Sequence, residues 1–365
     1  MGNPILTYVV VTPARNEAKF IDLTIRSMLS QTVRPLKWVI VSDGSTDGTD
    51  EIVTQHAANA PWLELMRMPE RRERDFAGKV RAFNAGYARM AGLKYDVIVS
   101  LDADVSFEAD YFAHLLEKLS ADAKLGLVGT PFQEDSGQKY DYRFVSIEHV
   151  SGACQVFRRE CFEEIGGYLA VKGGSIDHIA VITARMKGWK TRTFTERVCL
   201  HHRPIGTAGR SLLASRFKLG MKDYSIGNHP IWELFRTLRQ MSMPPLFGGG
   251  LALGGGYLWA LIRQVPRPIS HDLIAFHRRE QLGRLSRFIG GERSAVGDNV
   301  KPSSKKQKEG DTQSSPDFNA EVQLEQPQGP PEEGGSNPTP PLQKLQQAVD
   351  ACDFEHKRRI GGWIC

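Results

Sequence analysis

Residues 97–104 read Val-Ile-Val-Ser-Leu-Asp-Ala-Asp, a largely apolar run that ends in two carboxylates one residue apart. A run of this length predicts a short strand buried on both faces, which is typical of the centre of a parallel sheet covered by helices. Ligands of such sheets bind beyond the carboxyl ends of the strands. Because alternate side chains of an extended segment point the same way, Asp102 and Asp104 are expected to face one site.

The two aspartates have two interpretations. Hard oxygen ligands at the end of a strand suit Mg²⁺ or Mn²⁺ that carries a diphosphate. The simpler interpretation is a pair of solvated acids that opens the next helix, with Asp104 or Ser106 as its cap. The Asp-x-Asp spacing does not decide between them, so the rest of the chain must.

The sequence before this stretch alternates between apolar, β-branched runs and amphipathic segments. Strands are predicted at residues 6–12, 36–42 and 63–68, and helices at 18–31, up to about 58 and at 78–91. This alternation predicts a parallel sheet with right-handed crossovers. The next part is less regular, with strands predicted at 126–130, up to 157 and at 191–200, and helices at 159–165 and up to 187.

Composition narrows the class of protein. The formal net charge of the 365 residues is +5, which by itself does not indicate nucleic-acid binding. The five cysteines are odd in number and form no Cys-x-x-Cys pair, which predicts free thiols in a reducing compartment. The first residues show no basic region followed by an apolar signal core, so a cytoplasmic catalytic part is expected.

Residues 203–290 differ in character from the preceding chain. They contain 13 Lys and Arg against four Asp and Glu, and residues 246–262 form an uncharged run with six glycines. The run is shorter than the ~20 residues that a spanning helix needs, and its glycines disfavour a helix. A basic, Trp-containing apolar segment is suited to lie on an anionic membrane face. The alternative is a helical extension that packs on the core.

The C-terminal residues have the composition of a disordered tail. Residues 292–343 are rich in Pro, Gly, Ser, Gln, Glu and Lys and contain few residues that form a core. Residues 342–365 are compatible with one short helix, for which the sequence indicates no function.

Seven motifs, in this order, resemble the family 2 glycosyltransferases, which use nucleotide sugars and have the GT-A fold. They are Pro13-x-Arg15-Asn16-Glu17, Ser42-Asp43-Gly44-Ser45-Thr46-Asp47-Gly48-Thr49, Lys79-x-x-Ala82-x-Asn84-x-Gly86, Asp102-x-Asp104, Ser151-Gly152-Ala153, Asp177 followed by Gly188-Trp189, and His201-His202. The resemblance covers residues 5–290. It implies an α/β GT-A catalytic domain at 1–202, whose nucleotide-sugar half ends near 104, followed by a basic, mainly helical extension at 203–291 and the tail at 292–365.

The resemblance implies a nucleotide-sugar-binding set near the ends of the first strands. Its members are Pro13, Arg15, Glu17, Asp43, Lys79, Asp102, Ala103, Gly152 and Ala153. Asp43 would accept hydrogen bonds from a base or ribose, although aspartate is also a common turn residue. Arg15 and Lys79 would supply cations near the nucleotide, although each could equally be a solvated surface charge. Gly152 would let the backbone approach the sugar closely.

The resemblance also implies Mn²⁺ or Mg²⁺ held by Asp104 and Asp102, with His201 or His202 as a third ligand. Asp177 is then the expected general base, which takes the proton of the acceptor hydroxyl. It could instead be an ordinary residue of a helix N-terminus, a position that favours negative charge.

The chain departs from the family pattern at two points. Members usually have Glu-Asp where this chain has Ile176-Asp177, so an acceptor-orienting carboxylate is missing there. Processive polysaccharide synthases of the family carry Gln-x-x-Arg-Trp downstream, where this chain has Leu213-x-x-Arg216-Phe217. The missing glutamine and tryptophan favour transfer of a single sugar.

These features predict an inverting glycosyltransferase that moves a sugar from a UDP- or GDP-sugar to a hydroxyl of a lipid-linked or glycan acceptor. The inverting outcome comes from the resemblance alone. The expected setting is cell-surface polysaccharide or glycolipid biosynthesis, peripheral on the inner face of the cytoplasmic membrane, with no nucleic-acid partner. One alternative is a nucleotidyltransferase of similar fold, which usually has a glycine-rich loop after strand one, whereas residues 13–17 contain no glycine. Another is a non-catalytic scaffold of a glycan-assembly complex.

Overall fold

The computed structural model describes residues 6–70, 76–134, 146–171, 173–203, 211–243 and 245–289. The predicted tail at 292–365 and the short helix at 342–365 lie outside the described residues. Of the five cysteines, Cys154, Cys161 and Cys199 are buried free thiols, and the other two lie in the same undescribed part.

Strands and helices alternate through the first half of the chain. The strands are β1 (Tyr8–Ala14), β2 (Lys37–Asp43), β3 (Leu63–Met68), β4 (Val97–Leu101), β5 (Val105–Ser106), β6 (Leu125–Gly129), β7 (Phe132–Glu134), β8 (Cys154–Arg158), β9 (Lys190–Thr193) and β10 (Cys199–His201). The helices are α1 (Ile21–Leu29), α2 (Thr49–Ala57), α3 (Phe76–Ala88), α4 (Tyr111–Ala121), α5 (Arg159–Glu164), α6 (Ile176–Met186), α7 (Leu212–Ser225), α8 (Pro230–Met241), α9 (Gly248–Ile262) and α10 (His271–Ile289).

The central sheet has seven strands in the order β3-β2-β1-β4-β8-β6-β9. The first four strands of this order are mutually parallel, and β8 runs antiparallel to both of its neighbours, β4 and β6. β5, β10 and β7 form a second, three-stranded sheet. The predicted architecture, a mostly parallel central sheet flanked by helices and followed by a helical C-terminal extension, is confirmed.

The strand that carries Asp102 is buried on both faces, as its apolar run predicts. Val97 and Val99 pack in a core cluster with residues of α1, α2 and α4. Ile98 points to the opposite face, into a cluster with residues of α3, α5 and α6. Helices cover both faces, so a side chain of either orientation gains from being apolar.

The prediction of a single strand at residues 191–200 is wrong. These residues form two strands, β9 in the central sheet and β10 in the small one. The chain turns between them, where Glu196 lies 3.2 Å from Lys118 and Arg197 donates a hydrogen bond to Asp110 at 2.9 Å. Both partners belong to α4 or its N-terminal end, a helix that the sequence analysis does not predict.

The C-terminal extension is helical and comprises α7 to α10. α9 forms despite its glycines because each of the six faces a side chain or backbone atom of α7 or α8, or Pro245 beside them. A Cβ atom at Gly256 would lie 1.9 Å from the carbonyl oxygen of Phe217 in α7, so only glycine permits this approach. Arg185 of α6 donates hydrogen bonds to Glu280 of α10 at 2.7 and 2.9 Å. Within the described ranges, no helix combines the length and apolar character that crossing a bilayer requires.

Candidate active site

The predicted donor-binding residues lie along one edge of the central sheet. The carboxyl ends of the parallel strands β1, β2 and β4 meet at this edge, where the antiparallel β8 begins. Asp43 ends β2, and Asp102 directly follows β4. The Asp102 amide donates a hydrogen bond to the Ala153 carbonyl at 2.9 Å. The topology therefore assembles residues that are far apart in the sequence.

Asp102, Asp104 and His201 form an acidic cluster in which ligand atoms of all three lie within 4.8 Å of one another. His201 reaches the cluster because β10 pairs with β5, and its Nε2 lies 3.6 Å from Oδ1 of Asp104. Its Nδ1 is buried and has no hydrogen-bond partner in the part of the chain that the structure describes. His202 instead places its Nε2 2.8 Å from Oγ of Ser106. Of the two histidines, His201 is therefore the candidate metal ligand.

The donor atoms of this cluster fit Mn²⁺ or Mg²⁺, because two carboxylates and an imidazole are within the ligand range of these ions. Burial raises the pKa of Asp102; the cation of Lys79 opposes this, and the negative charge of Asp104 adds to it. A bound divalent cation would offset the repulsion between the two carboxylates and favour their ionised forms.

Lys79 supplies a cation inside the same cluster. Its Nζ lies 2.5 Å from Oδ1 of Asp102. Burial lowers the pKa of Lys79, but the negative charges of Asp102, Asp177 and Asp104 outweigh it, so the pKa is raised above its ordinary value. Lys79 therefore carries its charge among three carboxylates, two of which belong to the acidic cluster.

Asp177 lies in the first turn of α6 and packs against Gly152. A Cβ atom at Gly152 would lie 2.8 Å from Oδ2 of Asp177, so any other residue there would displace the carboxylate. Gly152 directly precedes Ala153, whose carbonyl accepts the hydrogen bond from the Asp102 amide. One short loop therefore contacts both the Asp177 carboxylate, a possible proton acceptor, and the acidic cluster.

Arg203 is a charged residue of the site that the sequence analysis does not indicate. Its Nε lies 3.1 Å from Oδ2 of Asp104, and its guanidinium contacts the carboxylate of the buried Glu17. Arg203 thereby links the loop after β1 to the acidic cluster. The signal for it was its position directly after His201-His202, a motif that the resemblance already associates with the metal.

Residues 9–145 match the family model described as Glycosyl transferase family 2. This part of the chain is a family 2 glycosyltransferase domain. Asp43, Lys79 and the Asp102-x-Asp104 motif lie inside the matched range. Asp177 and His201 lie beyond it and join the site through the fold.

Two curated relatives show how far the similarity of the chain extends. A dolichyl-phosphate beta-glucosyltransferase of Trichomonas vaginalis is 33% identical over 123 residues, which are 30% of this chain and 33% of the relative. A poly-beta-1,6-N-acetyl-D-glucosamine synthase of Staphylococcus aureus is 30% identical over 117 residues, which are 32% of this chain and 26% of the relative. The chain thus matches at most about a third of the length of these relatives.

Among solved structures, a mannosyltransferase of Pyrobaculum calidifontis in complex with GDP-Man and Mn²⁺ is 21% identical to this chain. The superposition covers 78% of this chain and 81% of that chain, with a TM-score of 0.48.

A buried polar network ties α6 to the start of β8 and the loop before it. Nε2 of Gln155 donates hydrogen bonds to the carbonyl oxygens of Val150 at 3.2 Å and Asp177 at 3.4 Å. The hydroxyl of Tyr168 donates to Oε1 of Gln155 at 2.7 Å. The loop that carries Gly152 and the first turn of α6 are therefore held in one position. Sequence analysis does not indicate this network, because its members carry no motif of their own.

The loops that follow β1 and β2 are held together by contacts between them. The Glu17 amide donates a hydrogen bond to Oγ1 of Thr49 at 2.8 Å. Nη1 of Arg15 lies 4.0 Å from Oδ2 of Asp43. Two motifs that are about 30 residues apart in the sequence thus form one surface at the edge of the sheet.

Two residues named from the sequence, Pro13 and Ala103, and the neighbour of Asp177, His178, are less directly placed at the site. Pro13 lies within β1, opposite Val41 of β2, and is half-buried. Ala103 is buried in the apolar core, so only its backbone is available to a ligand. His178 packs between the rings of His149 and His277, with centroids 5.3 and 5.4 Å away. Burial lowers the pKa of His178 well below its ordinary value, which supports a packing role rather than that of a second base.

Proposed function

We propose that the chain is an inverting glycosyltransferase that moves a sugar from a UDP- or GDP-sugar to a hydroxyl of a lipid-linked or glycan acceptor. One observation carries the proposal: Asp177 packs on Gly152, and the next residue, Ala153, accepts a hydrogen bond from Asp102 of the acidic cluster. This loop supports a proton acceptor near groups that suit a nucleotide diphosphate. The family 2 domain supports the class of reaction.

The nucleotide of the donor is proposed to lie across the ends of β2, β1 and β4. Asp43 accepts hydrogen bonds from the base or ribose, and Arg15 lies beside its carboxylate. Glu17 lines the same surface and is tied to Arg203. The backbone of Ala153 and the absence of a side chain at Gly152 leave room for the sugar.

The leaving diphosphate gains negative charge as the bond to the anomeric carbon breaks. Lys79 and Arg203 lie against carboxylates of the acidic cluster, so two cations are in place to stabilise that charge. Mn²⁺ or Mg²⁺, held by Asp104, Asp102 and His201, would supply further neutralising charge when bound.

Asp177 takes the proton of the acceptor hydroxyl while the hydroxyl oxygen bonds to the anomeric carbon. The bond from that carbon to the diphosphate oxygen breaks, and its electron pair leaves with the diphosphate. Because the acceptor oxygen enters on the side opposite to the leaving group, the configuration at the carbon is inverted.

The acceptor class and location are proposed from the relatives and from the extension. One relative is named a dolichyl-phosphate beta-glucosyltransferase and another a poly-beta-1,6-N-acetyl-D-glucosamine synthase. These names support a lipid-linked or glycan acceptor in cell-surface polysaccharide or glycolipid biosynthesis. The basic, apolar extension supports a peripheral position on the inner face of the cytoplasmic membrane. The segment Leu213-x-x-Arg216-Phe217 supports transfer of a single sugar.

The test is to incubate the full chain with a panel of UDP- and GDP-sugars and Mn²⁺ or Mg²⁺, and to measure the release of nucleoside diphosphate. Asp177→Asn is expected to lower turnover by about 10²–10⁴-fold, with donor affinity nearly unchanged. The matched control is Asp272→Asn, which alters an exposed aspartate in the first turn of α10 and should retain turnover.

Other outcomes would replace the proposal. Full activity of Asp177→Asn would remove this residue as the base. Release of pyrophosphate from a nucleoside triphosphate and a sugar phosphate would identify a nucleotidyltransferase. Binding of donors without turnover of any of them would indicate a scaffold.

A further inference from the structure

The described part of the extension exposes an unusual number of large apolar side chains. Of the 21 large hydrophobic residues that are exposed in the described ranges, 15 lie between Leu212 and Phe288. Six of them, on α8 and α9, define what we call the apolar face: Ile231, Leu234, Leu238, Leu251, Leu258 and Ile262. Soluble monomers rarely expose so many large apolar side chains on two packed helices without a partner.

α8 is oriented opposite to an ordinary amphipathic surface helix. Ile231, Leu234 and Leu238 share one side of the helix and are 55%, 58% and 54% exposed. The polar residues Glu233 and Gln240 of the same helix are buried. A helix that borders water normally does the reverse, so the outward side of α8 is suited to an apolar solvent.

The inward side of α8 contacts charged and polar side chains that form ion pairs and hydrogen bonds with one another. Nη1 of Arg236 lies 2.5 Å from Asp223 and 3.3 Å from Glu233. Asn228 donates a hydrogen bond to Glu233 at 3.2 Å. Buried charges of this kind require partners, and here they find them on α7 and α8 themselves.

The packing of α9 also leaves large apolar side chains on the outside of the extension. Glycines of α9 face α7 and α8, while Leu251, Leu258 and Ile262 point outward. Small residues between helices and bulky apolar residues outside are typical of helices in lipid, where packing rather than apolar burial drives association.

The exposed charges of the extension have mainly one sign. Among residues 211–243 and 245–288, the exposed Lys and Arg residues are Lys218, Arg263, Arg279 and Arg287, and the exposed acid is Asp272. Cations at the border of an apolar surface can place their heads among anionic lipid groups while their stems stay in the apolar layer.

We propose that the apolar face docks on an anionic lipid bilayer, with α8 and α9 lying along the interface between head groups and acyl chains. This proposal names the surface that would contact the membrane. It builds on the membrane location proposed above, but its evidence is the exposed side chains and charges and not sugar transfer. Burial of the apolar face would supply the binding energy, and the four exposed cations would select anionic lipid.

Two other occupants fit the observations less well. The tail, residues 290–365, contains 12 large apolar residues, seven of them after residue 341, dispersed among more numerous charged ones, so it matches an apolar surface less well than lipid does. A second copy of the chain would bring the same exposed cations to the interface, and like charges would then face each other.

The test is co-sedimentation of the full chain with vesicles of equimolar phosphatidylcholine and phosphatidylglycerol, compared with vesicles of phosphatidylcholine alone. The full chain is expected to bind the mixed vesicles more tightly, and added salt should weaken this binding. The triple variant Ile231→Ser, Leu234→Ser, Leu238→Ser is expected to bind them about tenfold or more weakly.

The matched control replaces three exposed leucines of the sheet region, as Leu23→Ser, Leu36→Ser, Leu169→Ser. It should bind vesicles like the unaltered chain. Failure of the unaltered chain to bind mixed vesicles would overturn the proposal, as would equal losses in both triple variants. A change from dimer to monomer in the α8 variant, with vesicle binding unchanged, would assign the face to a second copy instead.

Donor turnover without vesicles separates this proposal from the proposed function. If the α8 variant loses vesicle binding but retains turnover of a soluble donor, both proposals stand. If no donor is turned over but vesicles are bound as expected, only the glycosyltransferase proposal fails.

Discussion

Strand β4 of the sheet region and helix α8 of the extension bury opposite kinds of side chain. β4 is apolar on both faces and ends in carboxylates at the edge of the sheet. α8 buries Glu233 beneath an outward row that includes Ile231 and Leu234. β4 follows the rule for a protein surrounded by water, whereas the arrangement of α8 is the reverse and is the basis of the proposed contact with lipid. The comparison teaches that two elements of one chain can place their apolar side chains in opposite directions.

Arginines of the two regions also have different roles. Arg203 lies at the edge of the sheet with its side chain 35% exposed, next to Asp104. Arg236 is held between Asp223 and Glu233, whose carboxylates are buried. Burial and the charge of Asp223 raise the pKa of Glu233 to about 7, although Arg236 opposes this. The cation at the sheet edge is therefore available to a ligand, whereas the cation of the extension is structural.

The largest effect on stability is expected from removing the structural cation. Arg236→Gln should lower the free energy of unfolding by about 3–5 kcal/mol, because two buried carboxylates would lose their counter-ion. The matched change Arg203→Gln should lower it by less than about 1 kcal/mol, since that pair is partly exposed, while weakening the binding of nucleoside diphosphate. Chemical denaturation followed by circular dichroism measures the stability, and calorimetric titration measures the binding. Equal destabilisation by the two changes would remove the distinction between the regions.

A smaller effect is expected at the close contact between α7 and α9. Gly256→Ala should lower the free energy of unfolding by about 1–3 kcal/mol, because the new Cβ atom would overlap the carbonyl of Phe217. The control is Gly283→Ala in α10, where a Cβ atom meets nothing within 4 Å. That change should raise stability by about 0.5–1 kcal/mol, since alanine favours a helix more than glycine. Thermal unfolding of both variants tests the pair, and a neutral Gly256→Ala would show that the helices can separate without cost.

An effect of a size similar to that of Gly256→Ala is expected from a dependence on pH. The protonated form of Glu233 is favoured in the folded chain, because its pKa is raised from 4.5 to about 7. Its contribution to stability is therefore complete below about pH 4.5 and is lost as the pH rises through about 7. This group alone should lower the free energy of unfolding by about 2–3 kcal/mol between about pH 5 and pH 8.

Glu233→Gln should abolish that part of the pH dependence, since the amide does not ionise. Glu51→Gln, an exposed substitution in α2, should leave it unchanged. Denaturation midpoints measured at several pH values provide the comparison. A midpoint profile that is the same for Glu233→Gln and the unaltered chain would show that Glu233 is not the responsible group.

The amino-acid sequence by itself determined the elements of the sheet region and the positions of the acids. The apolar run before Asp102 predicts β4, and the alternation of strands and helices before it predicts the parallel sheet. Such patterns are local, because each depends on side chains that are neighbours along one strand or one helix. The motifs placed Lys79, Asp102, Asp104 and Asp177 in one proposed site. In the structure Lys79, Asp102 and Asp104 lie together, and Asp177 packs on Gly152 of the loop that contacts Asp102.

Only the tertiary structure decided features that depend on contacts between distant segments. The pairing of β10 with β5 turns His201, and not His202, toward Asp104. The same pairing brings Arg203 to the acidic cluster from the far side of the domain.

Tertiary structure likewise decided which side of each helix in the extension faces the interior. The sequence showed that residues 246–262 are apolar and rich in glycine, but these glycines weaken a helix unless neighbours approach them closely. Which side of α8 faces inward depends on Arg236 meeting Asp223 of another helix. The helical pattern specifies two faces, whereas the free energy of burial, summed over all packed elements, selects the one that points outward.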